Sequence, residues 1–353
     1  MTVFVTGGSG FVGAHVVRAL LEDGERVRCL VRSPEPATLV GLPVEQVPGD
    51  VRDAASLEAG LAGCSAAFHC AADYRLYARH PREIYDTNVG GTTNVLAAAE
   101  RAGVRDVVVT SSVGALATGR SGVPANEETP VGLEDMVGHY KRSKFLAELE
   151  ARRAADAGRR VFLVHPSTPI GELDVKPTPT GKIVLDFLRG KLPAVVDTSL
   201  NFVDVRDVAR GHLLARQRGE PGRRYILGNQ NLTLREFLDL VAEASGRVPV
   251  RWTLPHWIPM VAGALSTGFA RVTGTEPAVA WEAVKMSRAH MVFDASRAVK
   301  ELGLPQSDLR DAVARAVAWF REGTAPGAGA VGSSGAQERT EASASRDPAE
   351  GDG

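Results

Sequence analysis

Val3-Phe4-Val5-Thr6-Gly7-Gly8-Ser9-Gly10-Phe11-Val12-Gly13 is an apolar strand pattern that breaks into glycines and opens directly onto a helical pattern. It parses as G-x-x-G-x-x-G from Gly7 or as G-x-G-x-x-G from Gly8, and the physics is the same. One glycine makes the tight turn, another lets the backbone approach a pyrophosphate, and the last lets helix pack on strand. The helix N-terminus adds free N–H groups and the positive end of its dipole. Gly7, Gly10, Phe11, Val12 and Gly13 are therefore the expected phosphate-binding turn.

Outward from this turn, short apolar runs alternate with helical patterns. Strands are expected at Val27–Val31, Val44–Val47, Ala66–Cys70, Val107–Ser111 and Val161–His165. Helices are expected at Phe11–Glu22, Ala54–Ala62, Asn88–Ala102 and Ser143–Ala157. Strands apolar on both faces, alternating with helices, predict a parallel sheet covered on both sides. With right-handed crossovers this is an α/β, Rossmann-type doubly wound fold. Residues 1–165 form the expected nucleotide-binding domain. Beyond 166 the alternation weakens and prolines recur. Helix Lys182–Leu188, strand Phe202–Val205, helix Val208–Arg216, strand Tyr225–Leu227 and helices Leu234–Ala244 and Leu309–Arg321 make a smaller substrate lobe. It spans 166–322 and interleaves with the first domain. The stretch 323–353 is Gly, Ala, Ser and charge, with too little apolar surface to offset its ordering entropy, and is expected to be disordered.

Across 353 residues the formal net charge is -1, which points away from a nucleic-acid partner. The three cysteines, Cys29, Cys64 and Cys70, make no C-x-x-C pair, and the histidines show no ligand spacing, so no metal is expected. Neither a basic-then-apolar leader pattern nor a run near the ~20 apolar residues of a membrane span is present. The expectation is a cytoplasmic enzyme without an integral membrane segment. The apolar stretch Trp257–Val272 reads as a buried lobe helix, with a greasy pocket or membrane contact as the alternative.

The second strand ends Leu30-Val31-Arg32-Ser33. An acid there, about 20 residues on, would hydrogen-bond a ribose 2′-hydroxyl of NAD. Arg32 stands instead, suited to a 2′-phosphate, so NADP(H) is preferred over NAD(H). Asp50 and Val51, after the third strand, are candidates for the adenine end. Tyr140 and Lys144 stand at i and i+4, on one face of a helix. A phenol near pKa ~10 is a poor base at neutral pH. A neighbouring ammonium and a positive nicotinamide both favour the phenolate, so Tyr140 can exchange a proton while hydride moves. Ser112, at the end of the strand Val107–Ser111, is the expected second hydroxyl on the reacting oxygen, with Ser111 as runner-up. Asp73 and Tyr74, just past the fourth strand, are weaker substrate candidates.

The glycine turn, Asp50-Val51-Arg52, His69-Cys70-Ala71-Ala72, Tyr85–Asn94 and Tyr140/Lys144 resemble the extended short-chain dehydrogenases/reductases. That family includes the NAD-dependent epimerase/dehydratases and the dihydroflavonol reductases. Gly138–Glu148, Pro166–Gly171, Lys176–Gly181 and Tyr225–Gly228 look most like bacterial hopanoid-associated sugar epimerases. The resemblance covers about residues 1–322. It implies that Ala71 and Ala72 line the cofactor groove, that Arg32, Asp50 and Val51 meet the adenosine end, and that Pro166, Ser167 and Thr168 lie beside the nicotinamide. Lys144 then reaches the nicotinamide ribose. The implied substrate is a sugar-like, polyol or triterpenoid-linked small molecule, in a homodimeric enzyme. An epimerase that recycles its cofactor and a reductase that draws on NADPH stay open. So does a dinucleotide-sensing protein without chemistry, although such proteins usually lose the tyrosine or the lysine. Arg206 and Arg210 are the candidate contacts for a nucleotide diphosphate, if they are not simply solvated.

Overall fold

A computed structural model describes residues 1–75, 78–119, 123–254 and 290–322. The expected tail at 323–353 and the Trp257–Val272 stretch lie outside the described residues. The strands in chain order are β1 (Thr2–Thr6), β2 (Arg26–Val31), β3 (Val44–Pro48), β4 (Ala66–His69), β5 (Asp106–Thr110) and β6 (Arg160–Pro166). They continue as β7 (Thr168–Ile170), β8 (Ala194–Val196), β9 (Ser199–Asp204), β10 (Arg224–Leu227), β11 (Gln230–Thr233) and β12 (Trp252–Leu254). The helices are α1 (Phe11–Glu22), α2 (Ala54–Leu61), α3 (Arg82–Tyr85), α4 (Gly91–Arg101) and α5 (Gly138–Asp156). After them come α6 (Pro179–Leu188), α7 (Val205–Arg218), α8 (Leu234–Ser245) and α9 (Leu309–Arg321).

Seven strands form one parallel sheet in the order β10-β6-β5-β4-β1-β2-β3. The order reverses between β1 and β4, and the crevice outside their carboxyl ends is where such sheets bind ligands. The strand ends are nearly flush there: Thr6 pairs with both Leu30 and His69, and His69 pairs with Val109.

Because side chains alternate along a strand, each strand feeds two cores. Val3, Val5, Phe68, Val108, Phe162 and Val164 pack with α1 and α7 residues such as Val16, Leu20 and Leu213. Phe4, Ala67, Val107, Val109, Val161 and Leu163 face the other way, against Leu57, Leu61, Val95 and Ala151 of α2, α4 and α5. This doubly apolar pattern is why the strands read as continuous runs in the sequence. The segment 205–227 returns to this sheet: α7 packs on α1, and β10 extends the edge beside β6, with Arg224 opposite Leu163 and Leu227 opposite Pro166. A further core joins α6, α8 and α9 through Val184, Phe187, Phe237, Val241, Val313 and Phe320. Within it Phe202 and Phe237 stack at 4.1 Å.

Candidate active site

The turn after β1 is shaped by contacts that leave no room for side chains. Gly7 has φ +71, and a Cβ on it would lie 2.5 Å from the Ala71 nitrogen at the end of β4. A Cβ on Gly13 would overlap the Gly7 carbonyl oxygen. Helix α1 starts after Gly10 with no side-chain cap and no acid in its first turn. Its first N–H groups are thus left to an anion. This cradle fits a dinucleotide pyrophosphate. Ser167 Oγ, next to Pro166 at the end of β6, is buried without a hydrogen-bond partner and offers a polar contact of the kind a nicotinamide amide would use.

Arg32 is exposed at the end of β2. Asp50 receives the Arg52 guanidinium at 2.9 and 2.8 Å. That hydrogen bonding, aided by the charge of Arg32, holds its carboxyl below the usual range. Val51 is buried against Gly91 at the start of α4. Ala71 and Ala72 continue from β4 directly beside the glycine turn.

Helix α5 begins at Gly138, five residues before the expected Ser143. Gly138 takes φ +79, and the capping residue Val137 offers no side-chain hydrogen bond. Tyr140 therefore sits in the first turn, half-buried, with Lys144 one turn on. Lys144 is 5% exposed and donates to the Thr110 carbonyl oxygen at 2.6 Å. Burial lowers its ammonium to about 8, against the raising charges of Glu148 and Cys70. Ser112, just past β5, accepts from the Gly114 N–H at 3.0 Å. It stands beside the Tyr140 phenol, which burial pushes above its ordinary value and the neighbouring hydroxyl pulls back. Gly114 is closed over by both groups: a Cβ there would meet Ser112 Oγ at 3.2 Å and the Tyr140 ring at 3.7 Å. The phenol, the lysine and the serine hydroxyl thus meet at the carboxyl edge of β4 and β5. The cluster can hold a carbonyl or carbinol oxygen and give or take its proton.

Other candidates have different surroundings. Ser111 is buried and donates to Glu148 Oε2 at 2.6 Å, so it belongs to a core network rather than to substrate. The Asp73 carboxylate is held by Arg75, with bonds of 3.0 and 2.6 Å. Each of these two polar groups is already engaged by a neighbour. Tyr74 is 40% exposed and donates to the Lys176 carbonyl oxygen at 3.0 Å. Arg206 pairs with Glu172 at 2.8 Å and Arg210 with Asp23 at 2.6 Å.

Asn88 was not singled out by the sequence reading. It lies in a widened π turn, Asp86–Gly90, ahead of α4. Its Nδ2 donates to the Asp73 carbonyl oxygen at 2.9 Å and to Ser143 Oγ at 2.8 Å, and its Oδ1 accepts from the Asp73 N–H at 2.7 Å. Ser143 in turn donates to the Tyr140 carbonyl oxygen at 2.7 Å. One buried amide thereby ties the loop after β4 to the first turn of α5. His69 bridges Thr6 and Thr92 at 2.8 and 3.0 Å, and burial lowers its imidazole to about 3. Among the described residues no cluster of metal ligands occurs and no helix is long and apolar enough to cross a membrane.

The sequence matches the model of the NAD dependent epimerase/dehydratase family over residues 3–228. It is 47% identical to a putative dihydroflavonol 4-reductase of Synechocystis sp., over 90% of this chain and 94% of that one. Sterol demethylase protein B of Methylococcus capsulatus is 35% identical, over 91% of this chain and 99% of its own length. Among solved structures, gox2253 superposes with a TM-score of 0.81 at 42% identity, covering 91% of this chain and 98% of that one.

Proposed function

The chain belongs to the NAD-dependent epimerase/dehydratase family and is an NAD(P)-dependent enzyme, and from that membership we propose that it is an NADP(H)-preferring carbonyl reductase with Tyr140, Lys144 and Ser112 as its catalytic set. The observation that carries the reading is the convergence of the three groups at one strand edge, with Lys144 fixed on Thr110, and Ser112 Oγ and the Tyr140 ring side by side over Gly114. The nicotinamide cofactor, when bound, supplies or accepts the hydride. Gly7, Gly10 and Gly13 hold its pyrophosphate, and Ser167 offers a hydrogen bond at its nicotinamide end. Ser112 and Tyr140 grip the substrate oxygen. Tyr140 delivers its proton as that oxygen gains negative charge, and the Lys144 ammonium stabilises the phenolate left behind. A phenol raised by burial is protonated at neutral pH, which suits the reducing direction.

Two relatives bear on the substrate: one is named for a flavonoid ketone reductase and one for a sterol-processing protein. Both names favour a polycyclic substrate; a sugar-like, polyol or triterpenoid-linked group is the reading carried by the sequence resemblance. Arg32, at the end of a strand without an acid, supports NADP(H). The epimerase reading keeps the support of the family description and of a structural likeness, at 25% identity, to a nucleoside-diphosphate-sugar epimerase from Pseudomonas aeruginosa. Denaturing freshly purified protein and identifying the released nucleotide by mass separates the two. An empty protein that binds NADPH more tightly than NADH is expected. Stoichiometric NAD carried through purification would favour an epimerase that recycles its own cofactor.

A further inference from the structure

Behind Lys144, one helical turn further from Tyr140, α5 carries a third ionisable side chain on the same face: Tyr140, Lys144 and Glu148 stand at i, i+4 and i+8. Glu148 is 3% exposed, and its partners lie on or just past three different strands. Its Oε2 accepts from Ser111, just past β5, at 2.6 Å and meets His165 Nε2 of β6 at 2.7 Å. Its Oε1 receives Arg224 Nε of β10 at 2.9 Å. Arg224 also donates to the Glu127 carbonyl oxygen at 3.2 Å, and Glu127 Oε1 accepts from the Ile226 N–H at 2.8 Å. His165 Nδ1 has no partner. A charge this deep would be costly in a purely structural role, since apolar residues of similar volume would do the packing as well.

We propose that Glu148 is a positioning residue that sets the charge balance of the Tyr140–Lys144 pair from behind, with Arg224 as its counterweight at the sheet edge. The proposal rests on the reading of Tyr140 and Lys144 as the proton-transfer pair. Lys144 faces His69 of β4 and Cys70 just past it, the Thr110 carbonyl from β5, and Glu148 from its own helix, with Tyr140 one turn before it on the same face. Of these, Glu148 is the fixed anion: His165, Arg224 and Ser111 hold its carboxyl well below the usual range despite burial. Its negative charge opposes the burial that would otherwise discharge Lys144. The same anion holds the phenol's proton as well as the ammonium's, so both members of the pair release their protons later while Glu148 is charged. The strand that closes the sheet edge, β10, thereby acts on a proton transfer at the opposite end of α5 through Arg224.

The sign is testable without knowing the substrate. The probe is the ultraviolet difference absorbance of tyrosinate during pH titration of the NADP-loaded protein, read against the same titration of Tyr140→Phe to isolate one phenol. Glu148→Gln keeps the shape and loses the charge. Removing an anion raises the local potential and releases the pair's protons earlier, so the Tyr140 midpoint should fall by about one pH unit, the order for a full charge two helical turns away at an effective dielectric of about 20. Arg224→Met leaves Glu148 less compensated and should move the midpoint up, while Arg224→Lys should restore the wild-type value. Shifts of opposite sign in Glu148→Gln and Arg224→Met would carry the proposal, because loosened packing has no reason to produce them. If Glu148→Gln does not fold, the contrast between Arg224→Met and Arg224→Lys decides the same point. Lys144→Met serves as the control on the site itself and should raise the midpoint, because a phenolate forming beside Lys144 draws the ammonium's own titration up with it. An unmoved midpoint in Lys144→Met would overturn the reading of the catalytic pair. A raised midpoint in Lys144→Met, with none of the Glu148 and Arg224 variants moving it, would overturn the role of Glu148 alone.

Discussion

Gly10 and Gly13 stand three residues apart in one turn, and the structure gives them different reasons to be glycine. A Cβ on Gly13 would lie 2.7 Å from the Gly7 carbonyl carbon and 3.1 Å from Gly8 Cα, besides overlapping the Gly7 carbonyl oxygen. All of these are backbone atoms in a turn already fixed by φ +71 at Gly7, so no rotamer change relieves the contact. Gly13→Ala should cost folding about 1–3 kcal/mol, the range for overpacking a tight contact. At this chain length each kcal/mol lowers Tm by roughly 2 °C. At Gly10 the backbone has φ -86, which any residue adopts, and a Cβ would meet only the Gly7 oxygen at 3.2 Å. Gly10→Ala should therefore melt within about 2 °C of the parent. Gly10 is exposed and caps the end of α1 proposed to receive the pyrophosphate, so a methyl group there would obstruct the ligand instead. Loss of one charge-assisted hydrogen bond, about 1.5–3 kcal/mol, corresponds to roughly ten- to hundred-fold weaker NADPH binding. Thermal melts and nicotinamide fluorescence titrations of both variants read the two effects apart. Equal melting losses in both, with NADPH affinity unchanged in Gly10→Ala, would refute the assignment of the turn.

Three further outcomes follow from named contacts. Arg32→Ser should weaken NADPH roughly ten-fold or more and leave NADH nearly unchanged, since only the 2′-phosphate loses a partner; equal loss for both cofactors in binding titrations would remove Arg32 from the ribose. Asn88→Ala deletes three hydrogen bonds and should cost about 2–4 kcal/mol of stability together with turnover, and a denaturant melt unchanged within about 0.5 kcal/mol would show that the π turn holds without it. Burial raises the Asp174 carboxyl to about 6, so the fold favours its neutral form. That contribution is full below about pH 4 and is lost as pH rises through about 6, at most about 3 kcal/mol. Asp174→Asn should therefore melt higher than wild type above pH 6 and show no such gain near pH 4, as read by melts across pH; a gain of equal size at both ends would mean that Asp174 does not titrate there.

The sheet domain is legible because its signals are local. The apolar run Val3–Thr6, the glycines and the helix from Phe11 to Glu22 all follow from neighbouring residues, and α1 and α9 start and stop where the spacing places them. The start of α5 is not, because Val137 carries no capping side chain and Gly138 enters the helix at positive φ. Tyr225–Leu227 reads as a strand, but its place beside β6 depends on pairing across some sixty residues, which no local pattern encodes. Short strands such as β8 and β12 have only three residues each and give too little alternation to register. In the site, the Tyr140/Lys144 spacing is visible and Ser112 is marked by its strand end. Nothing in the sequence separates Ser111 from Ser112; only the approach of Glu148 does so. Glu148 was hidden for the same reason, since Ser111, His165 and Arg224 converge on it through topology. The π turn gave no signal of its own, and Asn88 reads from the sequence as an ordinary helical residue.

The most direct test of the central claim is Tyr140→Phe, measured beside wild type for NADPH affinity and for NADPH oxidation with a panel of cyclic ketones and aldehydes. The phenol serves proton transfer, so affinity should stay within about two-fold while turnover falls by roughly a hundred- to ten-thousand-fold. Turnover equal to wild type would contradict the assignment of Tyr140 as the proton donor and with it the mechanism built on this site.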